Sequence, residues 1–284
     1  MEKLTINYDK LIDIEKIIGS KNPKLLRYMP RFVINYIKRT IHQDQMNEAI
    51  SRNRNNFEYD FAVGAFKEFD CKLTVTGAEN IPLTTGCIVA SNHPLGGLDG
   101  ISLMYLIGGM RKDIKFLVND LLLNLRNYGS IFIPVNKLGK NSPEYLTNID
   151  KVYASNACVL VFPAGLCSRR NASGEIEDLL WRKSFINKAI TYQKDIVPCY
   201  TEARNSNWFY NLAYYRQKIG IKANIEMFYL VDEMYQMAGK NIKFTFGKPI
   251  PWQTFTPDKT EAEWAALFKQ HVYALGGRGE LIFK

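Results

Sequence analysis

The chain has 284 residues, of which 46% are apolar and 23% are charged. These values are ordinary for a globular protein and exclude the disordered and fibrous classes. Its 37 Lys and Arg residues exceed its 28 Asp and Glu residues by nine, which favours anionic partners: nucleic acid, phospholipid head groups or an acidic carrier protein. At this length we expect one large α/β domain, or one domain with a helical extension.

Features that the sequence lacks limit the cellular compartment and the kinds of site that we expect. The longest near-apolar run, residues 101–110, is shorter than the stretch of about 18 residues that a membrane-spanning helix requires, and acidic residues interrupt the N-terminal stretch where a signal peptide is apolar. The five cysteines form no C-x-x-C pair, which is typical of a reducing compartment. Because the three histidines are far apart, a histidine-based metal site is not predicted. No cofactor is predicted either, and the glycines of HPLGGLDG lack the G-x-G-x-x-G register of a dinucleotide site. We therefore expect a cytoplasmic protein.

Residues 16–43 contain seven basic residues and no acidic one. Apolar side chains recur there at steps of three and four residues, which predicts an amphipathic helical hairpin, and Pro30 is expected to open its second helix or to kink a single one. Two interpretations stay open: a helix packed on the protein body with a solvated basic edge, or a helix lying in the interface of an anionic membrane. We predict residues 1–70 as a basic amphipathic segment for membrane docking, with an apolar face flanked by Arg27, Arg31, Lys38 and Arg39.

From residue 71 onward, strand-like runs alternate with helical ones. Strands are predicted over 72–76, 86–91, 114–118, 130–135, 157–162, 196–200, 224–230 and 242–246, and helices near 98–108, 143–156, 179–192 and 261–275. Several strands are apolar throughout, as expected where helices cover both faces of a sheet. Residues 71–284 are therefore predicted to form an α/β domain with a mixed, largely parallel β-sheet flanked by helices, preceded by the N-terminal helical extension.

A histidine and a carboxylate lie in the loop after the second predicted strand, which reads SNHPLGGLDG from Ser91. His93 leaves a buried strand, a Pro-Gly-Gly turn follows, and Asp99 begins a helix. This pattern predicts a general base oriented by a carboxylate, and the two glycines would let a substrate approach backbone N–H groups. The alternative is a structural loop in which Asp99 caps the helix and His93 is a buried histidine with satisfied hydrogen bonds.

A second strand-end loop, FPAGLCSRR from Phe162, carries two adjacent arginines. Arg169 and Arg170 could each hold a phosphate or a carboxylate through two hydrogen bonds; the alternative is a solvated surface pair. Cys167 is a weaker candidate, as a nucleophile paired with His93, because cysteine is commonly a small buried hydrophobe.

Four sequence blocks, taken together, carry a resemblance to a known family. NHPLGGLDG from Asn92, GSIFIPV from Gly129, FPAGLCSR from Phe162 and IVP from Ile196 resemble the blocks of the glycerolipid (PlsC-type) acyltransferases, also called lysophospholipid acyltransferases, across residues 71–246. The resemblance implies transfer of an acyl chain from a thioester of coenzyme A or acyl carrier protein to a lyso-lipid hydroxyl. It implies His93 as the base, Asp99 as its partner, Arg169 as a ligand of the acceptor phosphate and Lys183 as a further basic residue. The predicted substrate-binding residues are Gly96, Gly97, Asn136, Lys137, Gly165, Ser168, Arg169, Arg170 and Lys183.

The departures from the family pattern concern acceptor recognition. The second block lacks its arginine, with Asn136 and Lys137 the nearest polar residues, and Ala164 replaces a glutamate that helps to orient the acceptor. The chain also has five residues between its His and Asp where the family has four. We therefore favour a lyso-amino-acid lipid, as in the haemolysin-like branch of the family, slightly over lysophosphatidic acid. The resemblance and the basic segment together predict a peripheral protein at the cytoplasmic face of the inner membrane.

The alternative function is a non-catalytic lipid-binding or nucleic-acid-binding protein on the same fold, in which the altered blocks mark lost activity. Retention of His93 beside a partner favours the enzyme, because binding alone does not require a base. No nucleic acid is therefore expected among the partners, whereas an acidic acyl carrier would be attracted by the surplus positive charge.

Overall fold

The structure, a computed structural model, describes residues 11–119, 122, 124–135 and 143–283. In this part of the chain seven strands form one sheet in the order β1-β9-β8-β2-β5-β3-β4, and β6 and β7 form a short separate hairpin. The strands are β1 (Lys72–Thr76), β2 (Cys87–Ser91), β3 (Ile114–Asn119), β4 (Phe132–Val135), β5 (Cys158–Val161), β6 (Arg169–Arg170), β7 (Ile176–Glu177), β8 (Asp195–Glu202) and β9 (Asn241–Phe246).

The sheet is mixed and largely parallel, as the sequence predicts. The five strands from β8 to β4 pair in parallel, whereas β9 pairs antiparallel with β8 and in parallel with β1. Parallel strands place their carboxyl ends at one edge of a sheet. The loops after β2, β5 and β8 therefore meet at the same edge, which is the place where α/β sheets assemble their sites.

Both faces of the central strands are buried, which explains their uninterrupted apolar sequences. In β2, Cys87 and Val89 belong to one core cluster and Ile88 and Ala90 to the other, because successive side chains point to opposite faces of a sheet. Every residue of β2 and of β5 is buried. Helices cover both faces, and α5 packs closely on α6 in one of these layers. The helices of the described residues are α1 (Ile14–Lys21), α2 (Pro23–Tyr28), α3 (Arg31–Thr40), α4 (Gln43–Arg52), α5 (Glu58–Glu68), α6 (Gly97–Met110), α7 (Pro143–Ala154), α8 (Ser184–Tyr192), α9 (Asn207–Lys218), α10 (Leu230–Tyr235) and α11 (Glu261–Leu275).

The N-terminal helices divide into two groups by their burial. Phe61 and Ala62 of α5 lie in the same core cluster as β2 and α6, so this helix packs as part of the α/β body. By contrast α2 has no buried residue, and α3 buries only Ile34. Pro30 is the N-cap of α3, which begins at Arg31, so the proline separates two helices. None of the helices in the described ranges has the length and apolarity needed to cross a membrane.

Two predicted elements differ from the structure, and some elements of the described residues were not predicted. The strand predicted over 224–230 is wrong: Ile225–Tyr229 is a 3-10 helix that leads into α10, in which Glu226 is completely buried whereas Met227 and Phe228 are exposed. The helix predicted over 179–192 begins only at Ser184. Helix α9 was not predicted, because it exposes aromatic side chains and has no clean apolar stripe. The β6–β7 hairpin, whose strands have two residues each, was not predicted either.

Candidate active site

The loop after β2 is fixed to the neighbouring strand by Asn92. Its side-chain Nδ2 donates to the carbonyl oxygen of Thr201 at 2.9 Å, and its Oδ1 accepts from the Thr201 N–H at 2.6 Å. Asn92 is 3% exposed, so these two bonds hold the end of β2 against β8 without competition from water. The position of His93, one residue later, follows from this anchor. Asn92 was not among the predicted site residues, although it opens the first sequence block.

His93 and Asp99 are brought together despite the five residues between them. Nδ1 of His93 lies 3.0 Å from Oδ2 of Asp99. The same Oδ2 accepts from the backbone N–H groups of Leu95 at 2.7 Å and Gly96 at 3.1 Å. Asp99 therefore caps the start of α6 and also contacts the imidazole of His93. The helix cap and the contact with His93, which the sequence offered as alternatives, are both made by this one carboxylate.

The ionised form of the Asp99 side chain is destabilised by its burial. It is completely buried, and burial raises the pKa of its carboxyl while the hydrogen bond and charge of His93 and the two N–H groups oppose this rise. Within the described residues its Oδ1 has no hydrogen-bond partner. A buried acid with this arrangement stabilises a positive charge on its imidazole neighbour.

The imidazole of His93 is neither sealed in the core nor freely mobile. Its side chain is 16% exposed, and its ring stacks on Phe162 with centroids 4.0 Å apart and planes 15° apart. Phe162 in turn makes an edge contact with Phe116 of β3. One side of the ring is therefore apolar, and with Nδ1 held by Asp99 the Nε2 atom is the one left for proton transfer.

A second buried carboxylate, Asp178, accepts a hydrogen bond from the backbone of His93. Its Oδ1 accepts from the backbone N–H of His93 at 3.1 Å and from Ser168 Oγ at 2.7 Å, and its Oδ2 accepts from Trp181 Nε1 at 2.9 Å. Burial raises the pKa of the Asp178 carboxyl, and its hydrogen bonds oppose the rise. Sequence reasoning missed this residue, because Asp178 follows the β6–β7 hairpin and no local motif marks it.

The predicted basic residues have different environments. Arg169 is 4% exposed and its Nη2 lies 3.0 Å from Oε1 of Glu226, a completely buried acid that also pairs with Arg216 at 2.7 Å. Its guanidinium is therefore directed toward a buried acid, and its predicted contact with an acceptor phosphate stays a prediction. Lys183 is mostly exposed and pairs with Glu261 at 3.0 Å. Arg170, by contrast, lines the large cavity described below.

The two glycines of the first loop lie close to side chains of α10. Gly96 has φ of +78°, a conformation that favours glycine. A Cβ atom on Gly96 would lie 3.2 Å from Leu230, and one on Gly97 would lie 3.1 Å from Met234. The Gly96 N–H is already bonded to Asp99. The structure thus gives these glycines a role in close packing, and their predicted contact with substrate stays a prediction.

The remaining predicted residues lie in the second loop or outside the described residues. Gly165 donates its N–H to the Phe162 carbonyl at 2.9 Å in the turn after β5, and Ser168 donates its N–H to the His93 carbonyl at 2.8 Å. Ser168 therefore ties the two loops together. Burial raises the pKa of the Cys167 thiol, which disfavours the thiolate that a nucleophile needs. Asn136 and Lys137 lie outside the described residues.

A cavity of about 1150 Å³ opens beside this loop. Asn92 and Pro94, the two neighbours of His93, line it together with Ser168, whereas His93 itself is not among the lining residues. The far walls come from the β6–β7 hairpin, the end of β8 and one face of α9. No group of His, Cys, Asp and Glu side chains in the described part of the chain could hold a metal ion.

Residues 16–276 match the model of a family described as Acyltransferase. The chain belongs to this acyltransferase family. It is 44% identical over 274 residues to a lyso-glycine lipid O-acyltransferase of Phocaeicola vulgatus, covering 96% of this chain and 98% of that protein. It is also 44% identical over 266 residues to a lyso-glycine lipid O-acyltransferase of Bacteroides thetaiotaomicron, covering 93% of this chain and 97% of that protein.

The fold matches a solved acyltransferase. The 1-acyl-sn-glycerophosphate acyltransferase PlsC of Thermotoga maritima superposes with a TM-score of 0.50 at 14% identity, covering 94% of this chain and 97% of that one. At this identity the likeness concerns the fold alone. The predicted fold class and the predicted PlsC-type family are both confirmed, and the protein is an acyltransferase.

Proposed function

We propose that this acyltransferase O-acylates lyso-glycine lipid, taking the fatty chain from a thioester of coenzyme A or acyl carrier protein. The observation that carries the proposal is the His93–Asp99 contact of 3.0 Å in a chain that is 44% identical, over almost its whole length, to two lyso-glycine lipid O-acyltransferases. The contact supplies a base, and the relatives supply the class of acceptor.

In the proposed mechanism Nε2 of His93 takes the proton of the acceptor hydroxyl. The hydroxyl oxygen then forms a bond to the thioester carbonyl carbon, and the resulting tetrahedral intermediate breaks its C–S bond. The imidazolium returns the proton to the departing sulfur, so that the products are an ester and a free thiol. Asp99 holds the imidazole through Nδ1 and stabilises the imidazolium between these two steps.

The pairing of Arg169 supports an acceptor without a phosphate. The family resemblance assigns this arginine to the acceptor phosphate, but Glu226 occupies its Nη2 atom at 3.0 Å and neither side chain is more than 5% exposed. Breaking a buried pair of this kind leaves an uncompensated charge and costs about 3–5 kcal/mol. A lyso-amino-acid lipid, whose head group carries a carboxylate, makes no such demand on Arg169.

The exposed face of α2 and α3 supports membrane docking, the proposed route to an insoluble acceptor. Tyr28 is 80% and Phe32 is 73% exposed, and the exposed cations Arg27, Arg31 and Arg39 lie on the same two helices. Lys38 contributes less, because it pairs with Glu15. Exposed aromatic side chains beside basic ones are typical of helices in a membrane interface. We place the protein at the cytoplasmic face of the inner membrane as a peripheral enzyme.

The acceptor is tested with the purified full-length chain and a palmitoyl thioester. Lyso-glycine lipid and lysophosphatidic acid are supplied in separate mixed micelles, and the diacylated products are measured by mass spectrometry. We expect kcat/KM for lyso-glycine lipid to exceed that for lysophosphatidic acid at least tenfold. Equal rates, or a preference for lysophosphatidic acid, would contradict the assignment of the acceptor, and no transfer to either lipid would contradict the proposed activity.

A further inference from the structure

The large cavity beside His93 is lined by cations that have no acidic partner. Its walls contain Arg170, Arg204, Lys240 and Arg278, and in the described residues none of these four forms an ion pair. Arg204 and Arg278 instead donate to neutral oxygens, those of Asn207 at 2.6 Å and Ile176 at 3.0 Å. Of the two glutamates in the lining, Glu202 is neutralised by Lys243 at 3.0 Å. The cavity therefore has a net positive charge.

Two adjacent residues, Arg169 and Arg170, differ in their pairing. Arg169 is buried and pairs with Glu226, whereas Arg170 turns to the cavity, where its Nη1 donates to the Gly174 carbonyl at 3.0 Å. The Nε atom of Arg170 is buried without a hydrogen-bond partner among the described residues. An unpaired buried donor costs free energy, and an anion with several oxygens would remove that cost.

The neutral walls of the cavity offer hydrogen-bonding groups beside apolar surface. Helix α9 presents one stripe to it, with Asn207, Asn211, Tyr214 and Tyr215 spaced as neighbours on a helix face. A smaller cavity of about 270 Å³ shares Arg204 and Lys240 and adds Asn205. The Asn205 side chain is 3% exposed, yet neither its oxygen nor its nitrogen has a partner in the described residues. These groups match a ligand that contains amides and hydroxyls.

From these walls we infer that the cavity binds the phosphopantetheine arm of the thioester donor. The inference rests on the proposed function, which requires such a donor. The arm combines a phosphate, two amides and a hydroxyl, and coenzyme A adds further phosphates to the same chemistry. The single carboxylate of a lyso-amino-acid lipid is small for four cations and for a cavity volume above the usual 300–1,000 Å³ of ligand pockets.

The position of the cavity fits the direction in which the thioester must approach. Asn92 and Pro94 belong to its lining, so a phosphate held by the cations lies on the β8 side of the loop that carries His93. The ring of His93 faces Phe162 on the β5 side. A pantetheine arm that enters over β8 would bring its thioester to the loop while its fatty chain continues toward the apolar side.

The test measures KM for three palmitoyl donors that differ only in their anionic portion: coenzyme A, phosphopantetheine and pantetheine. The acceptor is held at saturation, and the variants are Arg170→Gln, Arg204→Gln and the control Arg54→Gln, an exposed arginine remote in sequence from the cavity residues. We expect the first two variants to raise KM for both phosphate-bearing donors roughly tenfold or more. KM for the pantetheine donor should stay within twofold, and the control should match the wild type.

Comparison of the donors also identifies the source of the phosphate. If the variants raise KM equally for the coenzyme A and phosphopantetheine donors, the cations bind the phosphate that both share with acyl carrier protein. A larger increase for the coenzyme A donor means that the cations also bind its nucleotide phosphates. The proposal is overturned if KM for the pantetheine donor rises equally, or if only KM for the lyso-lipid acceptor rises. Calorimetric titration of free coenzyme A into wild type and variants tests binding without turnover. Absence of acyl transfer by the wild type with tight, arginine-dependent binding of coenzyme A would contradict the proposed function and not this site.

Discussion

At the scale of single residues, the site depends on buried carboxylates that serve two purposes. Asp99 satisfies the first turn of α6 and contacts Nδ1 of His93 through the same oxygen. Asp178 holds the backbone N–H of His93 and the hydroxyl of Ser168. Because the two acids hold different parts of the residue, ring and backbone, His93 is fixed in position and in orientation. Preorganisation of this kind is how an enzyme avoids reorganisation during reaction.

The first prediction concerns Asp99→Asn. The amide keeps the shape of the side chain but removes the charge that stabilises an imidazolium, so we expect kcat to fall by about 10²–10⁴-fold. Since burial raises the pKa of the Asp99 carboxyl, its ionised form is a cost to the fold, and the neutral variant should retain or increase the melting temperature. Steady-state kinetics and calorimetry measure the two quantities. Activity within threefold of the wild type, with an unchanged fold, would rule out the role of Asp99.

At the scale of elements, a buried ion cluster joins parts of the chain that are far apart in sequence. Glu226, in the 3-10 helix before α10, contacts Arg169 of β6 and Arg216 of α9. These three elements are among those that sequence reasoning missed or assigned wrongly, and the reason is physical. Their conformations are set by a long-range ion cluster, whereas periodicity reports only local burial. The strands of the core, whose burial is continuous, were predicted within about two residues.

The second prediction tests this cluster with Glu226→Gln. Removal of the acid leaves two buried guanidiniums without a counter-charge, and we expect a loss of about 3–5 kcal/mol in the free energy of unfolding. Glu202→Gln is the matched control, because its pair with Lys243 is about half exposed and should contribute no more than about 1 kcal/mol. Urea unfolding followed by circular dichroism compares the two. Similar losses of unfolding free energy in both variants would contradict the larger contribution assigned to the buried cluster.

At the scale of the whole molecule, the acyltransferase separates chemically different surfaces around one loop. A cationic, hydrogen-bonding cavity lies over β8, the aromatic side chains Phe162 and Phe116 lie over β5 and β3, and exposed aromatic residues lie on α2 and α3. The hydroxyl of Tyr36 in α3 bonds that of Tyr229 at 2.6 Å, so the N-terminal helices contact the 3-10 helix that precedes α10. This arrangement suits an enzyme that joins a water-soluble donor to a membrane-bound acceptor.

The third prediction concerns binding to membranes. Neutralising Arg27, Arg31 and Arg39 together should weaken binding to anionic vesicles by roughly 100-fold, because each cation near such a surface contributes about 1 kcal/mol. The control neutralises three exposed lysines elsewhere, Lys67, Lys72 and Lys248. Vesicle sedimentation at increasing salt measures both, and wild-type binding should weaken as salt rises. Equal effects of the two triple variants would contradict a specific docking face on α2 and α3.

Much of the site was predictable because its residues cluster in short sequence blocks. His93 and Asp99 fall in one block, and the parallel order of the strands brings Ser168 beside them. The lining of the cavity was not predictable, since Arg204, Lys240 and Arg278 come from separate elements that meet only in the folded chain. Asp178 was missed for the same reason. Local motifs reveal the reacting groups, and the fold is needed to find what supports and surrounds them.

The most direct test of the account is the rate of acyl transfer by His93→Ala at saturating thioester and lyso-glycine lipid. We predict that kcat falls by about 10²–10⁴-fold, with thiol release and ester formation lost together, while binding of free coenzyme A stays within twofold of the wild type. A variant that is folded and transfers acyl chains at a rate near that of the wild type would contradict the central claim that His93 is the base.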